Sequence, residues 1–277
     1  MKIAAVDLGG TAVKGACLHD GNVLRRASAP TVATSRETVL RSLREVIDKL
    51  LPADAVALSS AGDIDPYRGV CTYATDNLPD FTGFALKRYL EETYGLPAEV
   101  INDGHAALLG EAAARALSQP TVMLTLGTGV GGAYFDGQQI VFGSDFKFGR
   151  FGHLPLYENG LPCNCGRQGC IETYVSGSAL KRNAARLGLT VEQLFAADTG
   201  VAAAEVDRFC CDLAAALERV HEVAPYTLCI LGGGVMRSSE RWLPVLRKYT
   251  SRAVTTAVLG EDAGLQGAAQ WWRERNK

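Results

Sequence analysis

Short apolar runs alternate with amphipathic stretches along this chain, and the alternation predicts β-strands separated by α-helices. In the stretch 36–51, Val39, Leu43, Val46 and Leu50 recur at helical spacing and so share one face. Strands joined through helices lie in one sheet, which indicates the α/β class. The predicted strands are 3–7, 12–18, 53–59, 98–102, 122–126 and 227–231, and the main predicted helices are 36–51, 84–94, 106–117, 178–187 and 206–223, with a terminal helix after 260.

Glycine-rich turns follow two of the predicted strands and resemble each other. The first strand leads into Asp7-Leu-Gly-Gly-Thr11 and a returning strand, and the segment 122–134 repeats this plan. Glycines at the tip of a turn let backbone N–H groups approach an anion closely. Two such hairpins predict duplicated folding units that grip a polyphosphate, whereas a single one would favour an ordinary hairpin. The candidate phosphate-binding residues are Gly9, Gly10, Thr11, Gly127, Thr128 and Gly129.

A third glycine cluster, 232–234, follows the predicted strand 227–231. Its position at a strand end before a helix suits close approach of a nucleotide base or ribose. Gly232, Gly233 and Gly234 are therefore candidate nucleotide-binding residues. Asp7, at the end of the first strand, is a candidate to hold Mg²⁺ directly or through water. No segment matches the Walker lysine motif, or the dinucleotide glycine motif in its required context.

Asn102 and Asp103 stand where a predicted strand meets the Ala-rich helix 106–117. At such a junction a carboxylate is rigidly held and reaches a substrate hydroxyl, so Asp103 is the candidate general base. The alternative is that one of the two residues only caps the helix. Two polar loops, 60–66 and 75–80, lie where ligand contacts are common, and they contain Gly62 and Asn77.

One histidine and three cysteines fall within a single short segment and predict a zinc site. Thiolate and imidazole are the donors of closed tetrahedral Zn²⁺ sites. The candidate ligands are His153, Cys163, Cys165 and Cys170. Metal binding would fix one ring nitrogen of His153 and orient the other, and Glu172 would be held nearby, so that imidazole and carboxylate could together clamp a polyhydroxylated ligand. The alternative is a loop of reduced structural cysteines.

Composition and charge narrow the class of protein. The chain has 277 residues and is 47% hydrophobic, which is enough for a substantial core. Its net charge of −2 and pI of about 6.1 provide no electrostatic footprint for nucleic acid or an anionic membrane. The first residues reach an acidic side chain and glycines too soon for a signal peptide, and apolar runs stay short. A soluble, cytoplasmic protein is expected.

Taken together, these motifs resemble the ROK family of bacterial sugar kinases and repressors, and they do so collinearly from end to end. The resemblance implies a two-lobed actin/hexokinase-like ATPase fold of duplicated ribonuclease H-like βαβ lobes, with ATP and a hexose in an interdomain cleft. The expected lobes are 1–117, joined by the C-terminal helix 262–277, and 118–261, with the zinc loop at 153–170. Family repressors carry an N-terminal winged-helix domain. This chain begins directly at the first phosphate-binding strand, which favours a kinase.

The resemblance also implies roles for single residues. Asp103 would be the catalytic base, and Lys14 matches a commonly basic position near the ATP phosphates, although many members also have lysine where Ala12 stands. The four zinc ligands carry over unchanged, and the family suggests a homodimer. Sugar contacts would come from Gly62, Asn77, Asn102, His153 and Glu172.

Arg150 departs from the family pattern, which commonly places a glutamate there to contact sugar hydroxyls. Arginine only donates hydrogen bonds and is always charged, so a carboxylate acceptor is replaced by a cation. Three interpretations are open. Arg150 donates to a neutral or N-acetylated sugar, or it binds an acidic substrate together with Lys147, or it is structural and marks a change or loss of activity.

The expected function is transfer of the ATP γ-phosphoryl group to a hexose or N-acetylhexosamine hydroxyl, O6 being the expected acceptor, with Mg²⁺ accompanying ATP. The alternatives are a kinase for an acidic sugar read by Arg150, and a sugar-binding sensor or inactive relative that transfers no phosphate. Retention of Asp7, Asp103 and both hairpins argues against the sensor.

Overall fold

The computed structural model describes all residues, 1–277. The chain divides into two compact units. The first comprises 1–117, 142–147 and 259–277, and the second comprises 118–141 and 148–258. Segment 142–147 belongs to the first unit because the Phe142 ring packs edge-on against His105 and Trp271, with ring centroids 5.0 and 5.5 Å apart. The predicted boundaries had not separated this segment from the residues around it.

The predicted strands lie where the apolar runs place them, and four further strands, within 22–30, 63–65, 70–73 and 254–256, were not predicted. Residues 60–66, predicted as a loop, contain a strand that pairs with a second one further on, so the prediction of an irregular loop was wrong. The strands are β1 (Lys2–Leu8), β2 (Ala12–His19), β3 (Asn22–Pro30), β4 (Ala55–Ser60), β5 (Asp63–Asp65), β6 (Val70–Tyr73), β7 (Ala98–Asn102), β8 (Thr121–Leu126), β9 (Val130–Phe135), β10 (Leu228–Gly232) and β11 (Val254–Thr256).

The helices follow the predicted pattern, with shifted ends. The helix predicted over 106–117 begins at Asp103 and ends at Arg115, and the one predicted over 206–223 begins earlier, at Gly200. The helices are α1 (Arg36–Leu50), α2 (Leu86–Tyr94), α3 (Asp103–Arg115), α4 (Glu172–Val175), α5 (Gly177–Arg186), α6 (Val191–Ala196), α7 (Gly200–Val223), α8 (Ser239–Leu246) and α9 (Ala263–Arg275), with 3₁₀ turns at Phe151–His153, Gly234–Ser238 and Gly260–Asp262. None of the helices has the length and apolar character needed to cross a membrane.

The sheets of the two units share one plan, which confirms the predicted duplication. In the first unit the strand order is β3-β2-β1-β4-β7, and in the second it is β9-β8-β10-β11. Each sheet contains an antiparallel hairpin, β1-β2 in the first unit and β8-β9 in the second. The first strand of each hairpin also pairs in parallel with another strand, β1 with β4 and β8 with β10. Both sheets are open and mixed, and each unit has its own apolar core. The α/β class is confirmed.

Local sequence accounts for the helices that support the first sheet. Ser35 caps α1 by accepting a hydrogen bond from the Thr38 N–H, and the predicted apolar face of α1 is buried. Helices α3 and α9 approach very closely, since a Cβ on Gly267 would lie 1.7 Å from the Ala106 carbonyl oxygen. The small residues predicted for the terminal helix therefore serve close packing.

Candidate functional site

The carboxyl ends of three parallel strands bring the predicted catalytic residues of the first unit to one sheet edge. In the strand register Asp7 of β1 lies opposite Ser59 of β4, and Ser60 lies opposite Asn102 of β7. Ligand sites of open α/β sheets form at such edges. The fold thus places Asp7 and the Asn102-Asp103 pair at the same end of the sheet.

Asp7 is held by a residue that the sequence interpretation missed. The Ser59 hydroxyl donates to Asp7 Oδ1 at 2.7 Å, and Ser59 is fully buried. Burial raises the pKa of Asp7, while the Ser59 hydrogen bond and the charge of Lys14 oppose that rise. Ser59 is the polar end of an apolar run, which is the signal that could have drawn attention to it.

Asn102 both caps α3 and orients its neighbours. Its side-chain oxygen accepts the His105 N–H at 3.1 Å, and its amide nitrogen donates to the Gly62 carbonyl at 2.8 Å and to Asp103 Oδ1 at 2.9 Å. The cap that was posed as the alternative for this pair is therefore present, and it leaves the Asn102 amide nitrogen free to hold the Asp103 carboxyl group. Asn102 is the cap, and Asp103 is the first residue of the helix.

The Asp103 carboxyl group is rigidly placed and has an altered pKa. Its Oδ1 accepts hydrogen bonds from the Gly104 N–H at 2.8 Å and from Asn102. Burial of the carboxyl group, followed by the negative charge of Asp7, raises the pKa of Asp103 to about 6. By its accessible surface the residue is nevertheless exposed. Protein atoms thus surround the carboxyl group closely enough to raise its pKa, while the residue stays accessible to solvent.

The first glycine hairpin packs against the predicted sugar-binding loop. The Gly9 N–H donates to the Ala12 carbonyl at 3.1 Å and closes the turn, which leaves Gly10 and Thr11 at its tip. A Cβ on Gly10 would lie 2.9 Å from the Asn77 Cβ, so only glycine fits this contact. Gly10 and Asn77 are therefore neighbours.

Lys14 forms an ion pair with an acidic residue near the C-terminal helix. Its ammonium group lies 2.6 Å from Glu261 Oε2, and both side chains are exposed to solvent. In the strand register Lys14 lies opposite Asp7. The residue is thus near the phosphate hairpin but paired with the start of the C-terminal segment.

In the second unit the other glycine hairpin packs directly on Glu172. The Gly127 N–H donates to the Gly129 carbonyl at 3.0 Å, which leaves Thr128 at the tip of a turn one residue tighter than that of the first hairpin. A Cβ on Gly129 would come within 2.7 Å of Glu172 Oε2. A predicted phosphate-binding turn and a predicted sugar-binding carboxylate are therefore in contact.

The third glycine cluster lies beside the same hairpin. Gly233 has φ +89°, and a Cβ there would lie 2.5 Å from the Leu126 carbonyl oxygen at the end of β8. Gly232 ends β10, which pairs in parallel with β8. Around Gly234 there is open space, since a Cβ would meet no atom within 4 Å. The cluster thus provides bare backbone at the strand end.

The four predicted zinc ligands form a compact donor set. Their ligand atoms all lie within 4.8 Å of one another. Cys165 Sγ is 3.6 Å from Cys170 Sγ, and Cys163 Sγ is 3.7 Å from His153 Nδ1. Ligands at about 2.3 Å from Zn²⁺ in a tetrahedron are themselves separated by about 3.8 Å, so the residues fit a zinc ion bound through His153 Nδ1.

The surroundings of the donor set link it to Glu172. The Cys163 thiol donates to Glu172 Oε1 at 3.0 Å, and His153 Nδ1 lies 3.4 Å from the same oxygen. Burial would raise the pKa of Cys165, but hydrogen bonds with Arg167, Cys163 and Cys170 together outweigh it and lower that pKa to about 7. Burial raises the pKa of the Cys163 and Cys170 thiols, so Cys165 is the ligand that ionises most readily. Gly169, with φ +72°, permits the loop to close, since a Cβ would lie 1.7 Å from the Tyr157 carbonyl oxygen.

Arg150 is exposed and stands immediately before the 3₁₀ turn that carries His153. Its carbonyl oxygen accepts the His153 N–H at 3.1 Å. The backbone of Arg150 therefore helps to place the zinc histidine, whatever its guanidinium contacts.

Comparison with known proteins identifies the family. The ROK family model matches residues 3–275. The chain is 29% identical over 313 residues to the glucokinase of Thermotoga maritima, covering 99% of this chain and 98% of that protein. It is 29% identical over 294 residues to the N-acetylmannosamine kinase of Haemophilus influenzae, covering 99% and 96%.

A solved structure, the ROK family glucokinase from Streptomyces griseus in complex with glucose and AMPPNP, superposes with a TM-score of 0.83 at 27% identity, covering 99% of this chain and 100% of that one. Together with the open, duplicated sheets, this similarity shows the actin/hexokinase-like ATPase fold. Because the family model spans almost the whole sequence, the chain belongs to the ROK family.

Proposed function

We propose that this protein is an ATP-dependent sugar kinase that phosphorylates a hexose or N-acetylhexosamine, with the primary hydroxyl O6 as acceptor. The observation that carries the proposal is the Asp103 carboxyl group, which is fixed by Asn102 and Gly104 and has its pKa raised to about 6. A group with this pKa is ionised at neutral pH and is still basic enough to accept a proton. Full-length similarity to proteins named as sugar kinases supports the substrate class.

In the proposed reaction Asp103 accepts the proton of the sugar hydroxyl. The hydroxyl oxygen bonds to the γ-phosphorus while the bond from that phosphorus to the oxygen it shares with the β-phosphate breaks, leaving ADP. The N–H groups of Gly10, Thr11 and Gly129 in the two hairpins would stabilise charge on the phosphate oxygens. Asp7 would hold Mg²⁺ through water, and a buried carboxylate with a raised pKa suits a cation. Mg²⁺ bound with ATP supplies neutralisation of phosphate charge.

The proposed sugar site combines acceptors with oriented donors. Asn77 lies beside Gly10 of the first glycine hairpin. Asn102 is fixed by its hydrogen bond to the Gly62 carbonyl and also bonds to Asp103, the proposed base. Glu172 touches Gly129 and Cys163. With Nδ1 of His153 bound to a structural zinc ion, the Nε2 atom is left as the group that meets a sugar hydroxyl.

The proposal is tested by ADP release that depends on sugar, measured with Mg-ATP across neutral hexoses, N-acetylhexosamines, disaccharides and acidic sugars. We expect turnover on at least one neutral or N-acetylated sugar, at a rate far above ATP hydrolysis without sugar. The folded, zinc-loaded protein is used throughout. Saturable sugar binding with no ADP release on any member of the panel would contradict the kinase and favour a sugar sensor.

A second candidate, a kinase for an acidic sugar, is favoured by Arg150. It is an exposed, permanently charged donor directly before the turn that carries His153. Turnover confined to sugars with a carboxylate or phosphate group would establish this candidate. Turnover on neutral sugars would make Arg150 a donor to a hydroxyl or an N-acetyl carbonyl.

We expect Arg150→Glu to change the order of preference among these sugars, since it replaces a donor with an acceptor beside His153. The measurement is kcat/KM for each sugar, with Arg241→Glu, another exposed arginine in the second unit, as the matched control. Where the native protein prefers one sugar over another by about 10-fold or more in kcat/KM, we expect this ratio to change in Arg150→Glu and to stay the same in Arg241→Glu. The same order of preference in both variants would remove the Arg150 side chain from the sugar site.

A further inference from the structure

A cavity of about 640 Å³ lies in the second unit, and none of the glycine-rich turns is among its lining residues. It is bordered by residues 159–162 of the zinc loop and by side chains from α4, α5 and α7. Small-molecule sites commonly have about 300–1,000 Å³, so the volume suits a metabolite. We propose that this cavity is a second ligand site that binds a small molecule through a phosphate group.

Three arginines make the cavity a phosphate site. Arg182 and Arg186 are one turn apart on α5 and so share a helix face, and Arg208 comes from α7. Arg186 and Arg208 are exposed and make no hydrogen bond or ion pair in this structure. Two guanidinium groups at one cavity are therefore available to an external anion.

The two carboxylates in the lining are already engaged with other groups. Glu205 accepts a hydrogen bond from the Asn183 side chain at 2.7 Å. Asp212 accepts one from the Tyr157 hydroxyl, and Arg208 acts on it only as a nearby charge. Three arginines against two carboxylates leave the lining with one excess positive charge. The two carboxylates therefore do not form hydrogen-bonded pairs with the arginine guanidinium groups.

The arrangement fits a phosphate monoester better than a neutral sugar. Such a group carries nearly two charges and three terminal oxygens, and guanidinium forks bind these oxygens in pairs. The Tyr174 hydroxyl accepts the Leu161 N–H at 2.8 Å and still has its own proton to donate to a ligand oxygen. A polar organic group joined to the phosphate would then be recognised as well.

The cavity also borders the turn that begins with Glu172. Arg182 donates to the Thr173 carbonyl at 2.8 Å, and Tyr174 follows on the same short helix α4. A phosphate that engages Arg182 would compete for the donor that holds this turn. If the proposed sugar kinase function is right, occupancy should change the KM for sugar. Binding itself does not depend on that function.

The test measures binding of inorganic phosphate and of glycerol 3-phosphate by calorimetry, without sugar, to the zinc-loaded protein. The cavity variant is Arg186→Gln/Arg208→Gln, and the matched control is Arg241→Gln, which removes an exposed arginine elsewhere in the same unit. We expect Kd to rise about 10-fold or more in the cavity variant and to stay unchanged in the control. Unchanged melting temperatures would show that both variants are folded.

The probes and the variants make the outcomes decisive. Tighter binding of glycerol 3-phosphate than of phosphate would identify an organic phosphate as the ligand, and the reverse would identify the free anion. Equal affinity in all three proteins, equal loss in both variants, or no binding would overturn the proposal. Self-association of the native chain that is lost only in the cavity variant would overturn it too, because these arginines would then meet a second copy.

Discussion

Replacing Asp103 by asparagine is expected to lower kcat for sugar phosphorylation by about 10²–10⁴-fold, the usual loss when a general base is removed. The amide has the size of the carboxylate and still accepts the Gly104 N–H through its oxygen, so the start of α3 should remain intact. It cannot take up the hydroxyl proton. The measurement is sugar-dependent ADP release at saturating Mg-ATP, with Asp198→Asn, an exposed residue remote in sequence, as the control.

The pH dependence of the native enzyme provides an independent check of this assignment. Because the pKa of Asp103 is raised to about 6, the working, ionised form is lost as pH falls through that value. We expect kcat/KM to fall about 10-fold per pH unit below about 6 and to level off above it. If kcat/KM instead began to fall only near the ordinary pKa of an aspartate side chain, the base would be another group.

A rise in pH should lower the contribution of Asp103 to folding stability, although it raises the activity. The folded-state pKa of Asp103 lies above the ordinary aspartate value of 3.8, so the folded protein holds more protons than the unfolded chain between these two values. Stability from this group is present below about 3.8 and is lost as pH rises through about 6. Asp103→Asn should therefore melt at a higher temperature than the native protein at pH 8 and lose this advantage in acid. A variant that keeps most of its turnover would refute the assignment of Asp103 as the base.

The sequence predicts the elements of this fold well where the signal is local. The apolar face of α1 and its cap at Ser35 come from spacing within one helix, and the two hairpins come from glycines that follow apolar strands. The short β5-β6 pair was not predicted, because it consists of a few residues whose pairing depends on the segment that returns to it. The earlier start of α3 reflects Asn102, whose role as a cap was foreseen only as an alternative.

The candidate site could be predicted by residue type, but its contacts could not. Ser59 and Ser60 are adjacent and chemically identical in sequence, yet strand alternation turns Ser59 to Asp7 while the Ser60 hydroxyl donates to the Ala61 carbonyl. The contact between Gly129 and Glu172 joins positions that are far apart in the chain. Such contacts depend on tertiary packing, which no local pattern encodes.

Removing the metal is expected to weaken sugar binding before it affects ATP binding. His153 and Glu172 belong to or touch the proposed zinc cluster, whereas the proposed ATP-binding residues are divided between the units, with Asp7 and Gly10 in the first and Gly129, which contacts Glu172, in the second. Without the ion, the loop loses the ligand bonds that fix the His153 ring, and a displacement of about 1 Å in a positioning group can cost about 10²-fold in rate. We expect one zinc ion per chain, and a rise of about 10-fold or more in the KM for sugar after chelation.

Cysteine variants separate the metal site from general damage to the second unit. Cys170 is buried within the donor set, whereas Cys211 is an exposed cysteine on α7 outside it. Cys170→Ser should release zinc and raise the KM for sugar with little change in the KM for ATP, and Cys211→Ser should do neither. The split between the two KM values is the informative result, because general unfolding would impair both substrates together. If Cys170→Ser lost its zinc and kept its sugar KM, the metal would have no part in shaping the sugar site, and Glu172 would be held by Gly129 and the turn of α4 alone.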